Sequence, residues 1–210
     1  MNASRKKGWL REHTRDAYVR RAQADGYRSR AVYKLMEIDT RYRLLRPGMT
    51  VIDLGAAPGG WTQYVRERVG PKGCVLAQDL LPMAPVPGVQ FVCGDIADPA
   101  VLDLLMQQLA GSKAELVISD MAPNISGDSV SDQARMAELA ERVLAIVGVV
   151  LRNGGDLLLK TFQGAGFAQV RQAMRPSFDK LLTCKPRASR SHSREIYLLG
   201  RGFLGTEDRL

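Results

Sequence analysis

Cysteine and histidine are scarce in this sequence of 210 residues, which contains three cysteines and two histidines. The five residues are far apart along the chain, at Cys74, Cys93, Cys184, His13 and His192. A disulfide framework needs more cysteines than this, and a zinc site needs closely spaced ligands. The sequence therefore predicts neither a disulfide framework nor a metal site, and it predicts that the thiols are buried.

Long apolar runs are also missing. No run approaches the roughly 18 residues of a membrane span, and the N-terminus is basic and polar instead of apolar like a signal peptide. We therefore expect a soluble cytoplasmic protein. We divide the chain into a basic N-terminal extension with a helix at 1–46, one domain at 47–204 and a short tail at 205–210.

Positive charge is concentrated at one end of the chain. Residues 1–46 hold 13 Lys and Arg against 5 Asp and Glu, whereas residues 47–210 hold 17 of each, so the extension carries the whole net charge of +8. Aromatic residues such as Trp9, Tyr18 and Tyr27 stand among these cations. Cations bind phosphates and aromatic rings stack on unpaired bases, so the extension is expected to face RNA. The alternatives are a solvated charged helix, or aromatic rings that dock the extension on the domain.

One stretch, 51–61 (VIDLGAAPGGW), has the pattern of a strand, a glycine-rich turn and the start of a helix. In doubly wound folds an adenosine-bearing ligand lies over such a turn. The dinucleotide fingerprint is absent, because Ala57 stands where G-x-G-x-x-G starting at Gly55 needs its second glycine. The stretch therefore favours a nucleoside without phosphates, of which S-adenosylmethionine (SAM) is the common one. An ordinary tight turn is the alternative.

The rest of the chain alternates between strand and helix patterns, which predicts an α/β fold with a mostly parallel sheet. Predicted strands are 50–55, 73–79, 89–95, 116–120, 156–162, 180–184 and 195–199. Predicted helices are 29–43 with Ser29 as the cap, 60–69, 99–110, 132–151 with a stop at 153–155, and 166–175. The last two strands follow each other without a helix, so they are expected to form an antiparallel hairpin at the edge of the sheet.

Acidic residues follow several predicted strands. Asp79, Asp95 and Asp120 come after the second, third and fourth strands, and ligands of such sheets bind beyond these strand ends. Asp79 lies 20 residues after Gly59, where an acid can accept ribose hydroxyls, and Asp95 is a candidate for an adenine amino group. Helix caps and turns are the alternative role for each acid.

Lys160 is the least expected residue, because it interrupts an apolar strand that should be central. Loss of hydration lowers the pKa of an amine, which is one way to make a general base. The alternative is a side chain that extends to solvent. Glu195 likewise opens a strand beside several cations, and an exposed charge on an edge strand is its alternative.

These motifs together resemble the FtsJ/RlmE family of ribosomal RNA 2′-O-methyltransferases. The matching segments occur in family order over roughly residues 8–200. They are 29–35 (SRAVYKL), 53–61 (DLGAAPGGW), 77–83 (AQDLLPM), 94–95 (GD), 119–124 (SDMAPN), 160–164 (KTFQG) and 193–195 (SRE).

The resemblance implies a Rossmann-like fold with seven strands, SAM as methyl donor and S-adenosylhomocysteine as product. It places the catalytic Lys-Asp-Lys-Glu tetrad of the family on Lys34, Asp120, Lys160 and Glu195. It implies SAM contacts at Gly59, Trp61, Asp79, Asp95 and Asp120. The implied substrate is a uridine of the A-loop of 23S rRNA in the 50S subunit, and we expect a monomer with no membrane partner.

Three other functions are weighed against this one. A tRNA 2′-O-methyltransferase would share the tetrad. A ribosome assembly factor that binds RNA without catalysis would not need it. An NAD-dependent oxidoreductase is disfavoured by the missing fingerprint and by the basic extension. Within the favoured function, Lys160 either removes the proton of the ribose hydroxyl or orients that hydroxyl as a cation.

Overall fold

A computed structural model describes residues 16–124, 126–190 and 193–205. The strands are β1 (Thr50–Leu54), β2 (Cys74–Asp79), β3 (Gln90–Cys93), β4 (Ala114–Ser119), β5 (Leu151–Phe162), β6 (Phe178–Cys184) and β7 (Glu195–Phe203). The α-helices are α1 (Ala17–Ala24), α2 (Val32–Tyr42), α3 (Gly60–Val69), α4 (Pro99–Leu109), α5 (Ser129–Val150) and α6 (Ala165–Met174). A short 3₁₀ helix, Arg175–Ser177, precedes β6.

The seven strands form one sheet in the order β3-β2-β1-β4-β5-β7-β6. Strands β1 to β5 pair in parallel, and β7 runs antiparallel to both β5 and β6. The predicted seven-stranded, mostly parallel sheet with an antiparallel hairpin is therefore confirmed. Because β2 and β4 pair on opposite sides of β1, the strand order reverses there, and a cleft for ligands is expected at the carboxyl end of β1.

Helices cover both faces of the sheet. Val51 and Ile52 are adjacent in β1 and fully buried, yet they belong to different apolar clusters. Ile52 packs with residues of α4 and α5, whereas Val51 packs with residues of α2 and α3. This two-sided burial explains why the strands read as continuous apolar runs. Among the described residues, no helix is both long enough and apolar enough to cross a membrane.

The N-terminal region differs from the prediction in its helices. Helix α1 was not predicted; Asp16 caps it by accepting a hydrogen bond from the Tyr18 backbone at 3.0 Å. Helix α2 begins at Val32, and the Ser29 hydroxyl accepts from Ala31 N at 3.2 Å ahead of that helix. The predicted tail from 206 and the first part of the basic extension lie outside the described residues, including Arg5, Lys6, Lys7, Trp9, Arg11, His13 and Arg15.

Helix α5 ends earlier than predicted. Leu151 has an extended backbone and pairs with Ala114 of β4, so it opens β5 instead of closing the helix. The predicted stop at 153–155 therefore lies inside a strand, where Gly154 has a positive φ of 74°. Strand pairing overrides the helical periodicity at this point.

The expectation of buried thiols is correct for Cys184 only. Cys74 is partly buried, and Cys93 is exposed. Cys93 ends β3, an edge strand of four residues in which only Val92 is buried. An edge strand has a neighbour on one side only, so it can expose side chains that a central strand would bury.

Asp53, near the end of β1, is a carboxyl group buried beneath the glycine loop. Its residue is 1% exposed, and Oδ2 accepts a hydrogen bond from the Thr62 hydroxyl at 2.6 Å. Burial raises the pKa of Asp53 to about 7; the bond from Thr62 opposes this rise, and the nearby carboxylates of Asp120 and Asp79 add to it. The folded protein therefore retains a proton here that an unfolded chain releases near pH 4.

We expect the replacement Asp53→Asn to change how stability depends on pH. In the wild type, the raised pKa of Asp53 stabilises the folded state at low pH, and this contribution is lost as the pH rises from about 4 to about 7. The loss amounts to at most about 1.4 kcal/mol per pH unit. Asparagine is neutral throughout, so the variant should gain stability relative to the wild type over this range and no further above about pH 7. Urea unfolding of both proteins across the range measures the difference, and two parallel curves would contradict the expectation.

Candidate active site

A cleft of about 630 Å³ lies at the carboxyl edge of the sheet. Its volume is in the range of sites that hold a nucleoside-sized ligand. The glycine loop, the ends of β2 and β3, the segment after β4 and one side of α5 form its walls. Its lining residues are Gly55, Ala57, Gln78, Asp79, Leu80, Leu81, Gly94, Asp95, Ile96, Asp120, Met121, Ala122, Pro123, Asn124, Arg135, Glu138, Leu139 and Arg142.

The three predicted acids Asp79, Asp95 and Asp120 all line this cleft. Asp79 also organises its walls, since Oδ2 accepts from Ala57 N at 2.8 Å and Oδ1 accepts from Leu81 N at 2.8 Å. Asp95 accepts from Ala97 N at 2.9 Å. Asp79 and Asp95 therefore do form turns, which was the alternative role for these acids. The same backbone hydrogen bonds hold their carboxylates at the cleft.

The cleft has the chemistry to receive a ligand that carries hydroxyl, amino and cationic groups. Besides the three acids, the wall contains Gln78, whose Oε1 is buried with no hydrogen-bond partner while its amide nitrogen donates to Gly94 O at 2.6 Å. Such an atom favours a donor. The two arginines in the lining are engaged, because Arg142 pairs with Glu138 at 2.7 Å and Arg135 donates to Asn124 O at 3.1 Å. An adenosine with a positively charged sulfur fits this lining better than a phosphate ester.

Gly59 and Trp61 lie outside the residues that line the cleft. Trp61 is buried, its indole N–H donates to Ala31 O at 2.7 Å, and its ring centre lies 5.8 Å from that of Tyr197. Gly59 has a φ of 107°, and a Cβ there would stand 2.8 Å from both Arg28 Nη1 and Met83 Sδ. A Cβ at Gly55 would likewise collide with Met121. Because Gly55 and Gly59 lack a Cβ, side chains from other segments can lie close to this loop. The contacts of Gly59 and Trp61 with SAM stay predictions.

The four residues of the predicted tetrad meet beside the cleft. Lys34 Nζ lies 2.7 Å from Glu195 Oε2 and 3.8 Å from Asp120 Oδ2, and Lys160 Nζ lies 3.1 Å from Asp120 Oδ1. Lys160 also donates to the backbone carbonyl of Asp120. Positive and negative groups thus alternate along one chain of contacts. Asp120 belongs both to the tetrad and to the cleft.

The register of the sheet brings the tetrad residues close together. Ser119 of β4 is level with Leu159 of β5, which places Asp120 beside Lys160 at the strand ends. Lys160 is in turn level with Tyr197 of β7, and Glu195 begins the same strand. Helix α2 supplies Lys34 from outside the sheet.

The tetrad is largely screened from solvent. Its side chains are between 9% and 18% exposed. The alternative in which Lys160 extends to solvent is wrong, because its amine is held by Asp120. The surface alternative for Glu195 is wrong as well, since the residue is 8% exposed and pairs with Lys34.

Tyr197 was not predicted as part of the site. Its hydroxyl donates to Asp120 Oδ1 at 2.6 Å, and burial, with the nearby charge of Asp120, raises the pKa of the phenol well above 10. The hydroxyl therefore remains a donor at any working pH. Tyr197 lies two residues after Glu195 in one strand, so both side chains are on the same face, and this periodicity is a signal that was available in the sequence.

Ser189 also contacts the tetrad without having been predicted. Its hydroxyl donates to Glu195 Oε1 at 2.8 Å. The segment that carries Ser189 is held by Glu37, which accepts from the backbone of Arg187 at 2.6 Å and of Ala188 at 2.9 Å, and by Arg30, which donates to Ala188 O. No sequence signal identifies the contacts of Glu37 and Arg30 that hold this segment, because they join positions about 150 residues apart.

Comparison with known proteins agrees with this geometry. Residues 27–203 match the family described as FtsJ-like methyltransferase. The protein named ribosomal RNA large subunit methyltransferase E from Azoarcus sp. (strain BH72) is 56% identical over 194 residues, which cover 92% of this chain and 95% of that protein. The protein of the same name from Pseudomonas aeruginosa strain PAO1 is 52% identical over 94% of this chain and 95% of its own length.

A solved structure gives the same result. The crystal structure of a protein from Plasmodium falciparum, described as a ribosomal RNA methyltransferase, superposes with a TM-score of 0.79 and 30% sequence identity. The match covers 85% of this chain and all of that one. The extent of these matches and the assembled tetrad lead to one conclusion, which confirms the resemblance found in the sequence: the chain belongs to the FtsJ-like methyltransferase family and is an enzyme.

Proposed function

We propose that this enzyme transfers a methyl group from SAM to the ribose 2′-hydroxyl of a uridine in the A-loop of 23S rRNA, within the 50S subunit, and releases S-adenosylhomocysteine. The observation that carries the proposal is Asp120, whose carboxylate lines the acid-rich cleft and also contacts both lysines of the tetrad. The names of the relatives support an RNA of the large subunit. The choice of uridine and A-loop rests on the family resemblance.

The donor side of the site would use the three acids of the cleft. Asp79 is placed for ribose hydroxyls, Asp95 for the adenine amino group and Asp120 for the charged end of SAM, while Gly59 and Trp61 are proposed from the resemblance alone. When bound, SAM supplies an electrophilic methyl group on a positively charged sulfur. The nearby carboxylates would stabilise that positive charge.

On the acceptor side, Lys34, Lys160 and Glu195 would hold the ribose. A 2′-hydroxyl is a weak nucleophile until its proton is removed or strongly hydrogen-bonded. Lys160 contacts both the carboxylate and the backbone carbonyl of Asp120, and these contacts would hold its amine in place to orient the hydroxyl oxygen. Removal of the proton by a neutral Lys160 is the rival. Fixed alignment of the reacting groups alone can lower the barrier by several kcal/mol.

The RNA would approach over the segment that leads into β7, where Lys185, Arg187 and Arg190 stand before Glu195. Cations next to the tetrad can hold the phosphates that flank the target ribose. We propose that one chain carries a complete site and acts as a monomer in the cytoplasm. A tRNA substrate, or a role in ribosome assembly without catalysis, are the competing functions.

We expect labelled methyl groups to pass from SAM to purified 50S subunits, and Lys160→Ala to reduce this transfer at least about 100-fold. Free 23S rRNA and tRNA are assayed in parallel. Lys180→Ala is the control, because it removes an exposed lysine from β6 and should leave the rate unchanged. Resistance of the labelled position to alkali checks the site, since 2′-O-methylation blocks alkaline cleavage there.

Other outcomes would change the proposal in defined ways. Label on tRNA alone would move the substrate and keep the chemistry. Binding of SAM without label on any RNA would favour the assembly factor.

Lys160→Arg separates the two roles of Lys160. Arginine stays protonated, so it can orient a hydroxyl but cannot remove its proton. If Lys160 orients the hydroxyl, as its contacts favour, the arginine variant should keep measurably more activity than Lys160→Ala in the same single-turnover assay. Equal inactivity of the two variants, with SAM binding retained in both, would favour proton removal.

We expect Tyr197→Phe to lower kcat about tenfold, because it removes a hydrogen bond to a charged acceptor, Asp120, that is worth about 1.5 kcal/mol or more. The affinity for SAM should change little. Tyr64→Phe is a matched control, since the Tyr64 hydroxyl also donates to a buried carboxylate, Asp39, at 2.8 Å but lies outside the site. Steady-state kinetics on 50S subunits measure both variants. A Tyr197→Phe enzyme with the kcat of the wild type would show that Asp120 needs no such support.

A further inference from the structure

Arg28 makes contacts that its place in the basic extension does not suggest. It precedes α2, and its guanidinium is directed at backbone carbonyls of the domain. Nη1 donates to Pro58 O at 3.3 Å and to Ala84 O at 2.5 Å, and Nη2 donates to Pro85 O at 2.7 Å. Three of the five N–H donors of the guanidinium are therefore used within the protein, which leaves fewer of them for an RNA phosphate.

The three carbonyls belong to the two loops that form the donor side of the cleft. Pro58 is in the glycine loop after β1, which contributes Gly55 and Ala57 to the lining. Ala84 and Pro85 are in the loop after β2, which contributes Leu80 and Leu81.

Asp79 joins these two loops through Ala57 N and Leu81 N. Arg28 joins the same two loops through the carbonyls of Pro58, Ala84 and Pro85. The two residues therefore hold this pair of loops together at different points.

Gln63 and Gly59 help to keep Arg28 in this position. The Arg28 backbone N–H donates to Gln63 Oε1 of α3 at 2.9 Å. Gly59 lies against the guanidinium, and its φ of 107° and its lack of a Cβ leave the space that Nη1 occupies. A side chain at position 59 would be strained by this φ and would displace the guanidinium, so the glycine favours the observed position of Arg28.

We propose that Arg28 is a positioning residue for the methyl donor: its guanidinium ties the glycine loop to the loop after β2 and so keeps the donor half of the cleft assembled. This rests on the function proposed above. Arg28 acts through the loop backbones, and the donor is not among its contacts. The competing role, suggested by the charge pattern of the sequence, is a phosphate contact to RNA.

The two roles predict different kinetic effects for Arg28→Ala. A positioning role leaves three carbonyls without their donor and frees both loops, so donor binding must then order them again. The Kd and the KM for SAM should rise about tenfold, which corresponds to the loss of one or two charge-assisted hydrogen bonds at a partly exposed site. At saturating SAM, kcat and the KM for 50S subunits should stay near the wild-type values.

Arg28→Lys distinguishes geometry from charge. Lysine keeps the positive charge but carries it as a single ammonium, which cannot reproduce the fork that reaches both loops. The Kd for SAM should therefore remain close to that of Arg28→Ala. A phosphate contact, in contrast, would be largely restored by lysine.

The experiment measures SAM and S-adenosylhomocysteine binding by calorimetry without RNA, for the wild type, Arg28→Ala, Arg28→Lys and Arg20→Ala. Arg20 is the matched control, because it is an exposed cation of α1 whose side chain makes no hydrogen bond or ion pair within the described residues. Hydrogen exchange of the donor-free proteins is a second readout. Faster exchange in both loops, 55–59 and 80–86, is expected in the two Arg28 variants and not in Arg20→Ala.

Weaker SAM binding in both Arg28 variants, with faster exchange in the two loops, supports the positioning role. An unchanged Kd in Arg28→Ala, or its full restoration by lysine, would overturn that role, and a raised KM for 50S subunits alone would assign Arg28 to RNA. If the wild type does not bind SAM, the proposed function itself fails. Exchange protection of β1 and β4 is the folding check, and if Arg28→Ala loses it, Arg28→Lys decides by the same criteria.

Discussion

Asp120 is the group on which the rest of the active site depends. The side-chain amines of Lys34 and Lys160 both contact its carboxylate, among side chains that are less than one fifth exposed. Positive charge on these amines is poorly screened there, and the carboxylate stabilises it. Glu195 adds a second carboxylate to Lys34. Removal of one member would leave a partly buried charge without its partner, which costs more than the pair itself contributes. The four charged groups therefore stabilise one another.

The sheet makes the set possible by fixing its register. Asp120 directly follows Ser119, which is level with Leu159, and Lys160 is level with Tyr197. A slip of one residue between β5 and β7 would turn Lys160 to the opposite face, into an apolar cluster. Burial of that lysine in an apolar cluster would be costly and disfavours the slip, whereas the leucines at 157–159 are buried on both faces and fit either register. The apolar core thus determines which polar groups meet, although it contributes none of them.

Much of this arrangement could be predicted from the sequence, for identifiable reasons. The strands and their parallel pairing follow from apolar runs that alternate with helical patterns, and Lys160 was conspicuous because a lysine is out of place in such a run. Helix α1 was missed because it is short and buries only Val19 and Ala22, too few positions to show a period. Tyr197 was missed because an aromatic residue in an apolar strand looks like ordinary core. The contact between Gly59 and Arg28 joins segments about 30 residues apart, and the local sequence pattern around either residue does not indicate it.

The segment from Arg28 to Glu37 reaches three parts of the site at once. Arg28 contacts two loops that line the cleft, Lys34 enters the tetrad, and Glu37 holds the segment that presents Ser189 to Glu195. Part of the positive charge of the extension is therefore used within the protein. Because one helix and its lead-in contact both the cleft loops and the tetrad, a shift of α2 would disturb the two together. Substitutions within this segment should then fail to add as independent changes do, since they share the same rigid element.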